Sequence, residues 1–342
     1  MILVRPRAWW FNKVPLSVTL VLLLLDGRRF SLGALAVITL VVLTVCAAGN
    51  YGYALNDLFD VEEDARLGRN NRAAGMPRLR MWAVIAASAL CAEVCATVAA
   101  GRAGALLTLL ELCLPLAYSV PPVRIKERAW LGIAADALAA HVYPAVLVLM
   151  AVTHWTVRPV TSVLAIAVVV WATAAGVRNI LSHQLNTAEQ DRKAGLRTVV
   201  HDLGNARLER GIVAGVLPIE VGAFGGAMIA CNAGPVVWAF VALYLMYEAF
   251  KTCTGRFRVT VFRSGGQPYV PFIEESFYKA WGPLVFALDA ARVDPVYLLV
   301  IPSYIALFRP HLRAEMSRLR AVVTTIRIKR ATEPCGRSSG ES

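Results

Sequence analysis

The feature that most constrains this chain is the gathering of its apolar residues into long blocks joined by short charged connections. Eight blocks run approximately 9–25, 31–55, 80–100, 104–120, 129–152, 160–182, 210–231 and 234–251. Most approach the roughly 20 residues that cross a hydrocarbon core as a helix. They are apolar all round rather than along one stripe, which calls for lipid or protein on every side. A further apolar region, about 280–308, is interrupted by Asp289, Arg292 and Asp294-Pro295, and reads as one broken span or as two short helices. Of 342 residues 57% are hydrophobic and only 17% charged, where a soluble domain carries about a quarter. The expected fold class is all-α, a polytopic transmembrane helix bundle held in the lipid bilayer. Residues 1–308 would form the bundle and residues 309–342 a basic C-terminal tail.

Charge placement orients the bundle. The net charge of +12 sits in connections and tail rather than in a stripe for nucleic acid, so no nucleic-acid partner is expected. Connections after the second, fourth, sixth and eighth blocks carry Arg66, Arg69 and Arg72; Arg124, Lys126 and Arg128; Arg192, Lys193 and Arg197; and Arg256, Arg258 and Arg263. The opposite connections hold fewer cations: Arg28 and Arg29, Arg102, and Arg158. The positive-inside rule makes the first set cytoplasmic. The tail cations, among them Arg309, Arg313 and Arg318, obey that rule only if the last apolar region turns back on itself. Arg5, Arg7 and Lys13 precede the first block, and no small-residue cleavage site follows Leu25, so an uncleaved first helix is expected. The seven cysteines show neither paired zinc spacing nor a disulfide framework.

Against this apolar background, residues 56–64 place Asn56 and five acids directly after the second block. On a helix Asn56, Asp60 and Asp64 share one face. Unpaired carboxylates stacked at a membrane edge are costly, so a counter-ion is expected, and oxygen ligands of this type suit Mg²⁺. The plain alternative is a solvated acidic turn neutralised by Arg66, Arg69 and Arg72. A second oxygen-rich cluster, Ser182 to Asp191, follows the sixth block, with Gln184, Thr187 and Asp191 on one face. Between the clusters, Pro121 and Pro122 end the fourth block, and Arg124, Lys126 and Arg128 follow at alternating positions. These cations either anchor the loop at the membrane or capture diphosphate oxygens. A weak internal repeat, Asp64 with Gly68-Arg69 and Asp191 with Gly195, puts one cluster in each half at the same membrane face. Such a site suits a ligand anionic at one end and greasy at the other, as a polyisoprenyl diphosphate is.

These elements resemble signatures of the UbiA superfamily of intramembrane prenyltransferases. Asn56-Asp57-x-x-Asp60-x-x-x-Asp64 resembles its first signature, Tyr118-Ser119 through Pro122-x-Arg124-x-Lys126 its tyrosine–serine element, and Asp191 through Gly195 to Thr198 the end of its second signature. The resemblance covers roughly residues 5 to 205. It implies about nine transmembrane helices around a central, laterally open cavity, and Mg²⁺ as cofactor. It also implies a polyprenyl diphosphate donor and transfer of the prenyl group to an unidentified acceptor, aromatic or another small lipophilic molecule. Asp60, Asp64 and Asp191 would be catalytic. Asn56, Arg69, Arg124 and Lys126 would contact the diphosphate. The metal set would be Asn56, Asp60, Asp64 and Asp191 with Thr187 and Gln184, which stand where the family usually carries aspartates. The arginine-containing stretch after the first signature is also altered, reading Arg69-Asn70-Asn71-Arg72-Ala73.

Two rival chemistries use the same fold, terpene cyclisation and transfer of a phosphosugar to polyprenyl phosphate. A transporter or lipid-binding protein is the rival from another class, but it should carry polar residues along its spans and at both faces. Here they concentrate at one face. Glu93, Glu111, Asp136, Glu220 and Glu248 lie within apolar blocks, with His141 near Asp136. Each reads first as a cross-helix partner and second as a contact to the acceptor or a base. The aromatic segment 269–278 reads as an interfacial element near the cavity mouth.

Overall fold

The computed structural model describes residues 10–25, 27–156, 159–193, 195, 198–253, 258–260, 269–271 and 274–332. Arg5, Arg7, Arg158, Arg197, Arg256, Arg263 and Cys335 lie outside the described residues, as do Phe272 and Ile273 of the aromatic segment. The expected all-α bundle is what the chain forms. Helix α1 is Trp10–Leu25, α2 Leu32–Phe59, α3 Val61–Arg66 and α4 Arg78–Ser119. Helix α5 spans Ala129–Thr156 and α6 Ser162–Lys193. Helix α7 spans Asn205–Ala230 and α8 Pro235–Cys253. After a wide helical turn, Glu274–Trp281, come α9 Gly282–Ala290, α10 Val300–Leu307 and α11 Arg309–Thr332. Besides the helices, two three-residue strands, Arg258–Thr260 and Tyr269–Pro271, pair in parallel.

Five of these helices are long and apolar enough to cross a membrane. At 1.5 Å per residue, the 28 residues of α2 rise about 42 Å, more than a hydrocarbon core of about 30 Å. Large apolar side chains such as Leu90, Leu106, Leu110, Ile166, Ile219 and Met246 point outward and stay exposed, as lipid-facing residues do. Helix α1 is the opposite case. Every residue from Val14 to Leu25 is buried, so it runs through the centre of the bundle with protein on all sides.

The 42-residue α4 is not one rod. Ala100 (φ −143°, ψ 19°) and Gly101 (φ 62°, ψ −152°) leave helical geometry, and Gly101 takes a left-handed φ that side chains resist. The two arms, 78–99 and 102–119, fold back as a hairpin along α2. Met81 and Ile85 of one arm and Leu112 of the other pack in the same cluster with Tyr51 and Leu55. The two apolar blocks expected here are thus distinct.

The interrupted last region is also a hairpin. Asp289 accepts from Gly234 N at 2.9 Å and from Arg292 at 2.8 Å. Asp294 accepts from Phe30 N at 3.0 Å and caps the following turn through Val296 N. The charged interruption therefore fastens the loops at the end of the bundle where α1 finishes. Helix α10 then returns to where α1 begins: Phe308 stacks on Trp10 with centroids 5.4 Å apart, and His311 bonds to Phe11 O at 2.6 Å. The start of α11, with its basic residues, thus lies at the end of the bundle where α2 finishes.

The end of the aromatic segment lies inside the bundle rather than at an interface. Phe277 and Tyr278 are buried against Trp171 and Phe224, and Tyr278 OH accepts from Trp171 Nε1 at 3.0 Å. A ring whose hydroxyl finds a partner inside the bundle has no need of the membrane surface.

Candidate active site

Helix α2 ends at Asp60, whose φ of −102° and ψ of 4° bend the chain into α3. The expected helical stretch is bent here rather than straight. Backbone bonds nonetheless continue at four-residue spacing, Asp60 N to Asn56 O at 3.0 Å and Asp64 N to Asp60 O at 2.8 Å, and the two carboxylates have different donors.

Asp60 is only 7% exposed. Its carboxylate accepts from Arg124 Nη2 at 3.0 Å and is gripped by Lys126 Nζ. Arg124 also pairs with Glu63 and, through Nε at 3.0 Å, with Glu127. Asp64 Oδ2 accepts from Asn71 Nδ2 at 2.8 Å. The same amide group donates to Asp57 O at 2.9 Å, and Asn71 Oδ1 accepts from Ala73 N at 2.8 Å. Asn56 Oδ1 accepts from Ser119 Oγ at 3.2 Å. The solvated-turn alternative does not describe Asp60, which is neutralised from across the bundle. It does describe Glu62, whose pair with Arg66 at 3.7 Å is exposed on both sides.

The cationic turn is built locally. The second arm of α4 stops before Pro121 and Pro122, which cannot continue its hydrogen-bond ladder, and the bond between them is cis. Arg124 follows at φ 36°, ψ 54°, a left-handed conformation costing a non-glycine residue about 1–3 kcal/mol. That conformation sends its guanidinium back over Asp60 and Glu63, so the strain is offset by ion pairing in a site largely closed to water.

The second cluster hangs from the last turns of α6. Thr187 Oγ1 donates to Asp191 Oδ2 at 2.7 Å, which joins two of the three residues of the expected face. Gln184 Oε1 is buried with no hydrogen-bond partner among the described residues. Arg69, from the loop after α3, reaches Asp191 at 3.4 Å and ties the two halves together. A hollow of about 490 Å³ lies beside this end of α6, lined by residues including Glu189, Arg192, Thr198 and His201.

The structure thus brings Asn56, Asp60, Arg124 and Lys126 into one group, holds Asp64 beside it, and links Asp191 to it through Arg69. Among the described residues no three His, Cys, Asp or Glu side chains converge as a metal cage. The donor set still fits a hard cation such as Mg²⁺, which takes one or two carboxylates and keeps waters or phosphate oxygens as its other ligands. Each carboxylate offers about four lone-pair sites, and the protein donors leave room for such a ligand. The unpartnered oxygen of Gln184 is a further neutral donor.

Two members of the site escaped the sequence reading. Asn71 orders Asp64, yet its stretch looked only like a departure from the family pattern. Glu63 holds Arg124 but read as one more acid in a run. An asparagine two residues before a small buried residue, Ala73, is the signal that a side-chain turn was being built.

A search of curated proteins finds no match. Among solved structures, the chain is similar to a UbiA homolog from Archaeoglobus fulgidus bound to DMAPP and Mg²⁺. The TM-score is 0.57 at 18% identity, over 89% of this chain and 97% of that one. The same homolog bound to GPP and Mg²⁺ gives 0.56 at 19% identity, with the same coverage of each chain. The apo UbiA homolog from Aeropyrum pernix K1 gives 0.53 at 17% identity, over 92% of this chain and 99% of that one. At such identities the likeness is one of fold. The sequence itself matches the profile of the UbiA prenyltransferase family over residues 14–261, well over half its length, and the chain belongs to that family.

Proposed function

We propose that this protein is a Mg²⁺-dependent integral-membrane prenyltransferase that moves a prenyl group from its diphosphate to a small lipophilic acceptor. One observation carries the reading: Asp60, Arg124 and Lys126 meet in a largely buried group, with Asp64 beside it and Asp191 tied in through Arg69. Opposite charges so arranged exchange readily for a metal–diphosphate pair, the carboxylates turning to the metal and the cations to the phosphate oxygens. The homologs of this fold bound to DMAPP or GPP with Mg²⁺ support that exchange.

In this reading Asn56, Asp60, Asp64 and Asp191 hold the metal, with Gln184 and Thr187 as neutral donors. Mg²⁺ supplies charge stabilisation to the departing pyrophosphate. Arg124 and Lys126 release Asp60 and grip the diphosphate, and Arg69 closes the site from the loop. These cations stabilise negative charge as the bond from the first prenyl carbon to oxygen breaks. The acceptor then traps the allylic cation. The basic connections and the start of α11 share the end of the bundle that carries the site, and we assign that end to the cytoplasm.

The test is pyrophosphate release by the purified full chain with Mg²⁺ and a set of allylic diphosphates, with and without aromatic acceptors. Release that is lost in Asp60→Ala and Asp64→Ala supports the donor site. No release from any donor, or release indifferent to both substitutions, sinks it. Hydrocarbon formed without an acceptor would instead identify a cyclase.

A further inference from the structure

Helix α11 differs from the rest of the bundle in its charge. Its 24 residues hold seven lysines and arginines against a single acid, Glu315. That acid is buried and already engaged, accepting from Arg318 Nη1 at 3.0 Å and from Trp281 Nε1 at 3.3 Å. Arg309, Arg313 and Arg320 are exposed, with no further acid on their helix to offset them.

The direction of α11 decides where these cations lie. Helix α10 ends before Phe308, whose φ of −117° and ψ of 29° break the helix, and α11 starts at once. Tyr304 OH, ahead of the break, donates to Lys279 O at 2.7 Å. Glu315, after the break, meets Trp281, only two residues on from Lys279. On one straight axis, Glu315 would stand about 16 Å beyond Tyr304, out of reach of the same turn. The break therefore lays α11 aside, against the Glu274–Trp281 turn and the start of α1, where His311 bonds to Phe11 O. It does not run on along the bundle axis into water.

The faces of α11 sort by chemistry. His311, Glu315 and Arg318 form the stripe that meets the bundle. Beside it, at helical spacing, come Leu312, Met316, Leu319 and Val323. Met316 is 51% and Val323 47% exposed, so the bundle leaves this apolar stripe open. Arg309, Arg313 and Arg320 border its far side, and the small residues Ala314, Ser317 and Ala321 form the flank beyond them. An apolar stripe edged with arginines, on a helix fastened to the end of a transmembrane bundle, is the form of an interfacial helix.

We propose that this open face of α11 is a docking surface for anionic phospholipid headgroups, with Met316 and Val323 in the acyl boundary and Arg309, Arg313 and Arg320 on the phosphates. Arginine suits the place, because its stem lies along apolar surface while the guanidinium reaches phosphate oxygens. A polyanion in water would match the charge but leave the apolar stripe uncovered. A second copy of the chain, docked through the same face, would set like charges against each other. Docked on lipid, α11 holds the site-bearing end of the bundle at headgroup depth.

The test is hydrogen exchange of the full chain, one copy per lipid nanodisc, in phosphatidylcholine alone and in phosphatidylcholine mixed with phosphatidylglycerol. At about fivefold for each arginine near an anionic surface, exchange in residues 312–324 should be at least about tenfold slower in the mixed lipid. Arg309→Gln, Arg313→Gln and Arg320→Gln together should abolish the difference between the two lipids. Met316→Ser with Val323→Ser should speed exchange in both, and exchange in α6 should be untouched throughout. Equal rates for the unmodified protein in the two lipids, or a difference that survives the triple variant, overturns the proposal. So does exchange indifferent to the loss of Met316 and Val323. Protection found only in discs that hold two copies would assign the face to a second copy of the chain, and would overturn it as well.

Discussion

The two halves of the site solve the same problem with different chemistry. Around Asn56–Asp64, acids are numerous and are held by cations and an amide: Arg124 and Lys126 on Asp60, Asn71 on Asp64, and Arg124 again on Glu63. Around Gln184–Asp191, Asp191 has Thr187 as its neutral partner and Arg69 borrowed from the other half. The first cluster carries charge and must be held against its own repulsion. The second carries dipoles, which cost less to bury but bind a cation less strongly. In the proposed function, that difference weights donor binding towards the first half and leaves the second to complete the coordination.

Removing the metal should have the largest effect, because it disables both clusters together. Chelation by excess EDTA is expected to abolish pyrophosphate release, and Mg²⁺ should restore it. Asp60→Ala comes next. It strips the first cluster of its central carboxylate and leaves Arg124 and Lys126 facing each other, so release should fall by about 10³-fold. Asp191→Asn should cost much less, about tenfold, as the loss of one charge in a set already partly neutral. Equal losses in these two variants would break the comparison. Thr187→Asp restores an acid to the second cluster and should lower the Mg²⁺ concentration for half-maximal activity by about threefold, the scale of a single partly screened charge. A rise in that concentration would mean that the Thr187–Asp191 bond matters more than the added charge. The smallest effect is expected from Arg66→Ala, since its pair with Glu62 is solvent-exposed. Steady-state activity should stay within about twofold, as for most surface pairs.

Much of the bundle was legible along the chain because helix spans are set by local composition. The apolar blocks 31–55, 129–152, 160–182 and 210–231 each appear as a long helix, and the block boundary near residue 101 became a hairpin turn where a glycine permits it. The last apolar region was not legible. Whether Asp289 and Asp294 break a span or fasten a loop depends on Gly234 and Phe30, far away in sequence. The site followed the same pattern. Asp60, Arg124 and Lys126 were visible as types at telling spacings. The bend at Asp60 and the anchoring of Asp64 by Asn71 were not, because each depends on what another helix or loop presents.

By itself, the sequence determined that this chain is a membrane-type helical bundle with oxygen-rich clusters at one end. Hydrophobic periodicity and charge placement act within twenty or so residues, the reach of one helix across a membrane. Tertiary structure alone decided which charges neutralise which. Ion pairs form wherever folding brings donors within about 4 Å of acceptors, whatever their separation along the chain. It also decided that α1 is sheathed by protein while much of α4 faces outward, although both are written as apolar blocks. A hydrophobic residue records its need to leave water, but only the packed bundle decides whether lipid or a neighbouring helix meets that need.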